Sequence, residues 1–404
     1  MIVRWWPFGA AKRRDAPTTD RPGGMRRLFV DLSTIAQRDA GTGIQRVVRA
    51  LWAQLDRAQL QDYVVIPVAA TARRGYRIVP LADGEITLPE DGAPLIEMCA
   101  GDIFLGLDLA AHRLWRHRRQ VRRWKRRGAT IAITVYDLLP LRQPAWFPSS
   151  TVRNFKRWIR ILDRYGDIAL CISRHVADDL AQQMETRWWG GRSKLVRTLL
   201  PMSGDVAGSR PSEGMRPVDI AVLQAIDQRP TVLMVGTVEP RKGQDILLDA
   251  FEWLWAEMGT DAPMLAIVGR PGWRTDALQR RLTTHAARGT SLHWLDAASD
   301  EALTALYARA SMVVVPSRGE GFGLPVIEAL GQGRKVLARD LPVFRELERD
   351  GLYYFASEAP EPLGQAILET LAQPEPAIRT SDDDWSRSLA ALLAALGIDR
   401  RASQ

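Results

Sequence analysis

Cysteine and histidine are scarce in this chain. Cys99 and Cys171 are the two cysteines in 404 residues, too few for a disulfide framework or a thiolate zinc site, which fits a reducing cytoplasm. Both lie in apolar surroundings of sequence. The five histidines fall at no metal-ligand spacing. His175, in CISRHVADDL, therefore reads as a residue on a helix face. Long apolar runs are missing too, and none approaches the ~20 residues that span a bilayer. Residues 1–24 hold tryptophans and arginines but no continuous apolar core and no clear cleavage site. They read as a mobile arm and not as a secretory leader.

What is present describes an ordinary globular protein, 46% apolar and 25% charged. The length predicts two domains with a short C-terminal addition. The net charge of +8 suggests attraction to a polyanion: acidic lipid, a nucleotide or nucleic acid. Nine of the fifteen residues from Arg113 to Arg127 are Arg or Lys, and on one helix Leu114, Val121 and Trp124 would form a thin apolar stripe with His117 between them. The stretch from Arg153 repeats the pattern with Phe155, Trp158, Ile159 and Leu162. Either these are sheet-packing helices with solvated outer faces, or 111–127 and 153–166 dock on an acidic membrane; nucleic acid is the third reading.

Strand and helix patterns alternate through both halves, which predicts two doubly wound α/β domains. The boundaries expected are 25–205 for the first domain, 206–228 for a Gly-, Ser- and Pro-rich linker, 229–376 for the second domain and 377–404 for a terminal helix. Strands are expected at 27–33, 63–68, 102–107, 129–136, 167–173 and 194–199, then at 231–235, 264–268, 292–295, 312–315, 335–338 and 352–355. Thr42 and Gly43 open a helix whose dipole and unpaired amides suit a diphosphate. Asp137 ends a strand, where active-site carboxylates commonly sit, although an Asp capping a turn would look the same. In the second half GTVEPRKGQ places Glu239, Arg241 and Lys242 in one loop. There Arg offers bidentate hydrogen bonds and Lys a point charge.

The centre of the pattern is MVVVPSRGEGFGLPVIE, from Met312 to Glu328. A β-branched run breaks at Pro316 into a loop with three glycines, and a helix follows with Pro325 in its first turn. Leu324, Ile327 and Leu330 give that helix a buried side. Two glutamates alone, Glu320 and Glu328, would fit a solvated loop and an exposed helical face. SRGEGFGLPVIEAL, however, resembles the E-x7-E segment of retaining glycosyltransferases of GT-B architecture, glycosyltransferase family 4 in particular. GTVEPRKG resembles the same family's G-x-x-x-x-R-K-G segment, with Thr237 where many relatives carry arginine. YDLLPL resembles a segment of its mannosyltransferase-like members, with Tyr136 in place of a histidine. The resemblance is strong over about 230–348 and weaker before it.

The resemblance implies a GT-B fold, two Rossmann-like domains facing across a cleft, and transfer of a hexose from a nucleotide diphosphate sugar to a lipid-linked or polysaccharide acceptor. It implies Glu328 on the ribose hydroxyls, and Glu320 and Asp137 on sugar. Arg241, Lys242 and the backbone of Gly321, Phe322, Gly323 and Leu324 would face the diphosphate. Gly43 and Gly236 would line the diphosphate turns, and Gly269 and Leu295 would lie near the base. It further implies no metal, no cofactor beyond the donor, no nucleic-acid partner, and a donor leaning toward GDP-mannose or a rhamnose nucleotide. The setting would be bacterial lipopolysaccharide O-antigen or capsule assembly on the inner face of the cytoplasmic membrane. A nucleotide-sugar epimerase or hydrolase, or a non-catalytic sugar-nucleotide-binding protein, would share these motifs.

Overall fold

The computed structural model of the protein describes residues 24–37, 39, 41–82, 85–86, 88–89, 92–185, 194–205, 214–377 and 385–401. The arm read over 1–24 lies outside them except for Gly24, as do 206–213 of the expected linker. The chain forms two compact units, one of residues 1–201 with 385–404 and the other of residues 202–384.

Unit 1 runs β1 (Arg26–Asp31), α1 (Gly43–Arg57), β2 (Tyr63–Ala69), β3 (Arg77–Ile78), the paired β4 (Leu81–Ala82) and β5 (Glu85–Ile86), and β6 (Ile103–Gly106). It continues with α2 (Ala111–Arg116), α3 (Arg118–Arg126), β7 (Thr130–Val135), α4 (Leu139–Arg142), α5 (Ser149–Tyr165), β8 (Ile168–Cys171), α6 (Arg174–Glu185) and β9 (Val196–Leu199). The sheet order is β3-β2-β1-β6-β7-β8-β9, parallel except for β3. Strands covered on both faces by helices need apolar residues at every position. Leu28 to Val30, Phe104 and Leu105, and Ile131 to Ile133 meet that need and are almost fully buried.

Unit 2 runs α7 (Pro217–Ile226), β10 (Thr231–Val235), α8 (Gln244–Met258), β11 (Met264–Val268), α9 (Asp276–Thr284), β12 (Leu292–Leu295), α10 (Asp300–Arg309) and β13 (Met312–Val315). It ends with α11 (Leu324–Gly331), β14 (Lys335–Arg339), α12 (Pro342–Arg345), β15 (Leu352–Phe355) and α13 (Pro360–Leu371). All six strands are parallel in the order β12-β11-β10-β13-β14-β15. Val232, Met234, Leu265, Ile267, Met312 and Val314 meet Leu247, Phe251 and Leu254 of α8 in one core.

Helix α14 (Trp385–Leu396) belongs to unit 1, where it lies against α1 and β8. Trp385, Leu389, Leu392 and Leu393 form its buried stripe. After it, the amide of Gln61 donates to Asp399 O at 3.1 Å and that of Arg401 to Gln59 O at 2.9 Å, so backbone hydrogen bonds fix the tail.

Four expectations need correction. The basic segment is two helices, α2 and α3, which break at His117, whose Nε2 lies 2.8 Å from Thr71 O. That tertiary bond outweighs the helical propensity of the run. The span 206–228 is not all linker, because Pro217–Ile226 is helical, packs on α10 and β12, and carries Asp219 at N3 bonded to Arg216. The first sheet gains the antiparallel strand β3, too short to leave a period in sequence. Cys99 is not in apolar surroundings: its Sγ lies 3.4 Å from Asp102 Oδ2 and 3.9 Å from Arg27 Nη2.

Candidate functional site

In unit 2 the chain runs outward to one side from β10 and to the other from β13, so the strand order reverses between these neighbours. Ligands of open α/β sheets bind outside the carboxyl ends of the strands at such a reversal. The loop after β10 carries Arg241 and Lys242, and the loop after β13 carries Glu320. The sheet therefore brings together residues almost eighty positions apart.

The Glu320 carboxylate is buried between the two cations. Its Oε2 accepts from Arg241 Nη1 at 2.8 Å, and its Oε1 accepts from Lys242 Nζ at 2.5 Å and Ser317 Oγ at 2.7 Å. Arg241 Nη1 also donates to Gly319 O at 2.9 Å, and its Nη2 lies 2.8 Å from Glu239 Oε1. Burial pushes the Glu320 pKa up, but the charges of Lys242 and Arg241 and the Ser317 hydroxyl outweigh it and hold the group at about 2. Glu320 thus stays an anion and binds both loops into one charged surface.

A folded-state pKa of about 2, below the ordinary 4.5, adds stability that is fully present above the unfolded value and is lost as pH falls toward 2. Acid titration of the wild type should therefore lose an increment of unfolding free energy between those values that Glu320→Gln does not. Urea denaturation at pH 5 and pH 3 measures it, and equal losses in both proteins would contradict the ion pairing.

Glycine makes the close approaches at this corner. Gly236 continues β10 at φ 153°, with its amide donating to Val268 O at 2.8 Å. A Cβ on Gly269 would lie 1.9 Å from Gly236 O, so the turns after β10 and β11 touch backbone to backbone. Gly243 caps α8 at φ 78°, and a Cβ there would meet Pro316 O at 2.4 Å. Gly323 caps α11 at φ 103° against the Phe344 ring, and Pro325 occupies the first turn of the helix. Gly321 and Gly323 are buried, while Phe322 and Leu324 are partly exposed.

Glu328 faces inward from α11, 4% exposed, and accepts from the Tyr307 hydroxyl at 2.7 Å. Tyr307 lies on the buried side of α10, and no local pattern in the sequence marks it as a carboxylate partner. The Leu295 side chain is 1% exposed. Its carbonyl accepts from the Gly269 amide at 2.9 Å, which anchors the turn after β11.

Gly43 and Asp137 lie in unit 1. Gly43 is the first residue of α1, behind a capping box in which Thr42 Oγ1 accepts from Gln45 N at 3.4 Å and Gln45 Oε1 from Thr42 N at 3.3 Å. Gln45 is thus the N3 partner that closes the start of the helix. Asp137 follows β7, half-buried, and accepts from the Leu139 amide at 3.1 Å. Sequence reasoning missed Asp31, the last residue of β1, and Asp108, two residues past β6, which stand at the strand reversal of this sheet and show the same signal that marked Asp137. Asp31 accepts from Ser33 and from the Tyr76 hydroxyl at 2.9 Å, and Asp108 from the amides of Thr34 and Ile35. Burial, with the charge of Asp108, raises Asp31 to about 7 despite the bonds from Ser33 and Tyr76. These carboxyls pin the segment leading into α1. His175, on α6, lies 3.8 Å from Asp179, and among the described residues no three potential ligands gather as a metal site.

Two doubly wound units with glycine-lined turns at the strand ends are the architecture of GT-B glycosyltransferases. Solved structures agree in fold over about nine-tenths of the chain. The Anabaena protein HepE, in complex with UDP and glucose, matches with a TM-score of 0.57 over 92% of this chain and 95% of that one, at 17% identity. WaaG, a glycosyltransferase involved in lipopolysaccharide biosynthesis, matches with a TM-score of 0.55 over 91% and 94%, at 14% identity. Residues 215–383, which contain the Glu320 cluster, match the model of Glycosyl transferases group 1. The serotype-specific mannosyltransferase WbdA of Escherichia coli is 38% identical over 351 residues, 86% of this chain and 41% of that protein. O-antigen chain mannosyltransferase B of Escherichia coli is 30% identical over 62% of this chain and 61% of its own length. The sequence likeness is thus to group 1 glycosyltransferases, matched by the family model over 215–383, and the chain spans about two-fifths of the length of the WbdA proteins it matches.

Proposed function

We propose that the protein is a retaining hexosyltransferase that moves mannose or rhamnose from a nucleotide diphosphate sugar to a lipid-linked or polysaccharide acceptor in bacterial O-antigen or related surface-polysaccharide assembly. The observation that carries this reading is the buried Arg241–Glu320–Lys242 cluster at the strand reversal of unit 2. The similarity to E. coli mannosyltransferases supports mannose, and the UDP and glucose held by HepE support a nucleotide-sugar donor.

Breaking the bond from the anomeric carbon to the phosphate oxygen leaves negative charge on the diphosphate, and preorganised donors lower the barrier to that change. Arg241, Lys242 and the amides around Gly323 supply them without a metal. Glu328 holds the ribose, and Glu320 contacts the sugar. Gly236 admits the diphosphate, and the turns at Gly269 and Leu295 lie near the base. The acceptor oxygen attacks the face that the diphosphate leaves, and its proton passes to the departing phosphate oxygen. The anomeric configuration is therefore kept.

Incubating the protein with GDP-mannose and other nucleotide sugars, with and without an acceptor glycan, tests this reading. Acceptor-dependent release of nucleoside diphosphate is the expected result. Consumption without acceptor would instead indicate a hydrolase or epimerase, and binding without consumption a sensor.

The basic helices extend the proposal to an acidic membrane on the cytoplasmic side. Helix α3 exposes Arg119, Arg122 and Arg126, which pair with no acid among the described residues, and α5 exposes Arg153, Lys156, Arg157 and Arg164 on one face. A cavity of about 870 Å3 beside α3 is lined by arginines of α2 and α3, by Glu97, which pairs with Arg123 and Arg127, and by Leu95, the last 44% exposed. No described helix is long and apolar enough to cross a membrane. Co-sedimentation with vesicles of anionic lipid should be strong at low salt, weaken as salt screens the charges, and fall in a variant with Arg119, Arg122 and Arg126 changed to Gln. Equal sedimentation with neutral vesicles would refute it.

A further inference from the structure

We propose that Arg318 is a positioning residue that sets the spacing of the two diphosphate cations by stapling the loop of Glu320 to the loop of Arg241 and Lys242. This rests on the reading of Arg241 and Lys242 as the groups that meet the diphosphate. Arg318 lies between two residues that touch the cluster, Ser317 through its hydroxyl to Glu320 and Gly319 through its carbonyl to Arg241. Its own amide donates to Arg241 O at 2.7 Å. The backbones of the two loops are thus joined at the cation itself.

The Arg318 side chain points away from the cluster and is 23% exposed. Nε and Nη2 donate to Glu358 at 3.1 and 3.0 Å, Nη1 and Nη2 to Asp245 at 3.2 and 3.0 Å, and Nη1 also to Pro240 O at 3.0 Å. A guanidinium has five N–H donors, and here five bonds engage them. Burial lowers the pKa of the group, but Glu358 and Asp245 outweigh it and raise it, so the charge is permanent.

Each partner lies on a different piece of the corner. Pro240 directly precedes Arg241, and Asp245 is in the first turn of α8. Glu358 follows β15 and also pairs at 2.8 Å with Arg339, the last residue of β14, which itself donates to Pro316 O at 3.3 Å. One planar side chain therefore references both ligand loops to the strands and to α8. Lysine cannot reproduce this, because it is a point charge with three donors on a flexible stem. The cluster's own side chains do not bond the Arg318 guanidinium, so its action on a ligand is indirect.

The test uses full-length Arg318→Gln, Arg318→Lys and Asp245→Asn. Titration calorimetry with UDP and GDP reads the diphosphate grip, and saturation-transfer NMR with uridine and guanosine reads the nucleoside grip. Arg318→Gln should weaken the better diphosphate ligand by about tenfold or more while nucleoside binding holds, since misplacement of about 1 Å is enough for such losses. Arg318→Lys should recover only part, and Asp245→Asn should show a smaller loss in the same sense. Unchanged diphosphate affinity in both Arg318→Gln and Asp245→Asn would overturn the proposal. So would an equal loss for nucleoside and diphosphate, the mark of general destabilisation. If Arg318→Gln does not fold, Asp245→Asn decides by the same comparison. A wild type that binds neither diphosphate would instead sink the donor-site reading, together with the staple built on it.

Discussion

Arg241→Ala is expected to slow sugar transfer by at least about tenfold, because one preorganised donor at a developing oxyanion commonly contributes that much or more. Its guanidinium is held by Gly319 O, Glu320 and Glu239. The side chain is therefore oriented before any ligand arrives, and little reorganisation is needed as the diphosphate leaves. Removal also strips one ion partner each from Glu239 and Glu320, both buried, and so leaves more negative charge beside the diphosphate. Arg241→Lys should recover only part of the rate, since an ammonium cannot give two parallel hydrogen bonds. Initial rates over a range of donor concentration, with circular dichroism to confirm folding, check this. Turnover at the wild-type rate in Arg241→Ala would remove the residue from the mechanism.

Gly269→Ala should be the most destabilising single methyl in unit 2. The added carbon would lie 1.9 Å from Gly236 O and 2.6 Å from Gly236 C, both backbone atoms that no rotamer change can move. Relief requires the ends of β10 and β11 to part, which breaks the bond from the Gly236 amide to Val268 O. Overpacking of this kind costs about 1–3 kcal/mol and more where the neighbour is rigid. Gly331→Ala, in α11 with nothing within 4 Å of its new carbon, is the control and should be neutral or slightly stabilising. Urea midpoints of the two variants compare them directly. A Gly269→Ala midpoint equal to that of the control would show that the corner yields, and would argue against it as a rigid ligand platform.

In unit 2 the strands at 231–235, 264–268, 292–295, 312–315 and 352–355 were legible to the residue. The three central ones, TVLMV, MLAIV and MVVV, are β-branched or aliphatic runs closed by a glycine or a proline, the pattern that a parallel strand buried on both faces requires, and the edge strands LHWL and LYYF are aromatic-rich instead. Unit 1 was read less sharply because its strand ends carry polar residues. Asp31, Asp108 and Asp137 stand in like places at strand ends, yet only Asp137, in the family-like YDLLPL segment, was singled out. The break at His117 and the helix Pro217–Ile226 were missed because contacts distant in sequence decide them, through Thr71 in one case and through α10 and β12 in the other.

The linear order of residues was enough to specify the α/β class, the two sheets and the positions of Glu320, Glu328, Arg241 and Lys242, because apolar period and glycine placement are local properties. Tertiary structure alone decided that Glu320 is the shared counter-ion of both cations, that Tyr307 meets Glu328, and that Arg318 turns from the cluster to Asp245 and Glu358. Those pairings depend on which strands become neighbours. Parallel crossovers bring together side chains separated by a whole helix and strand, a distance over which sequence spacing carries no geometry.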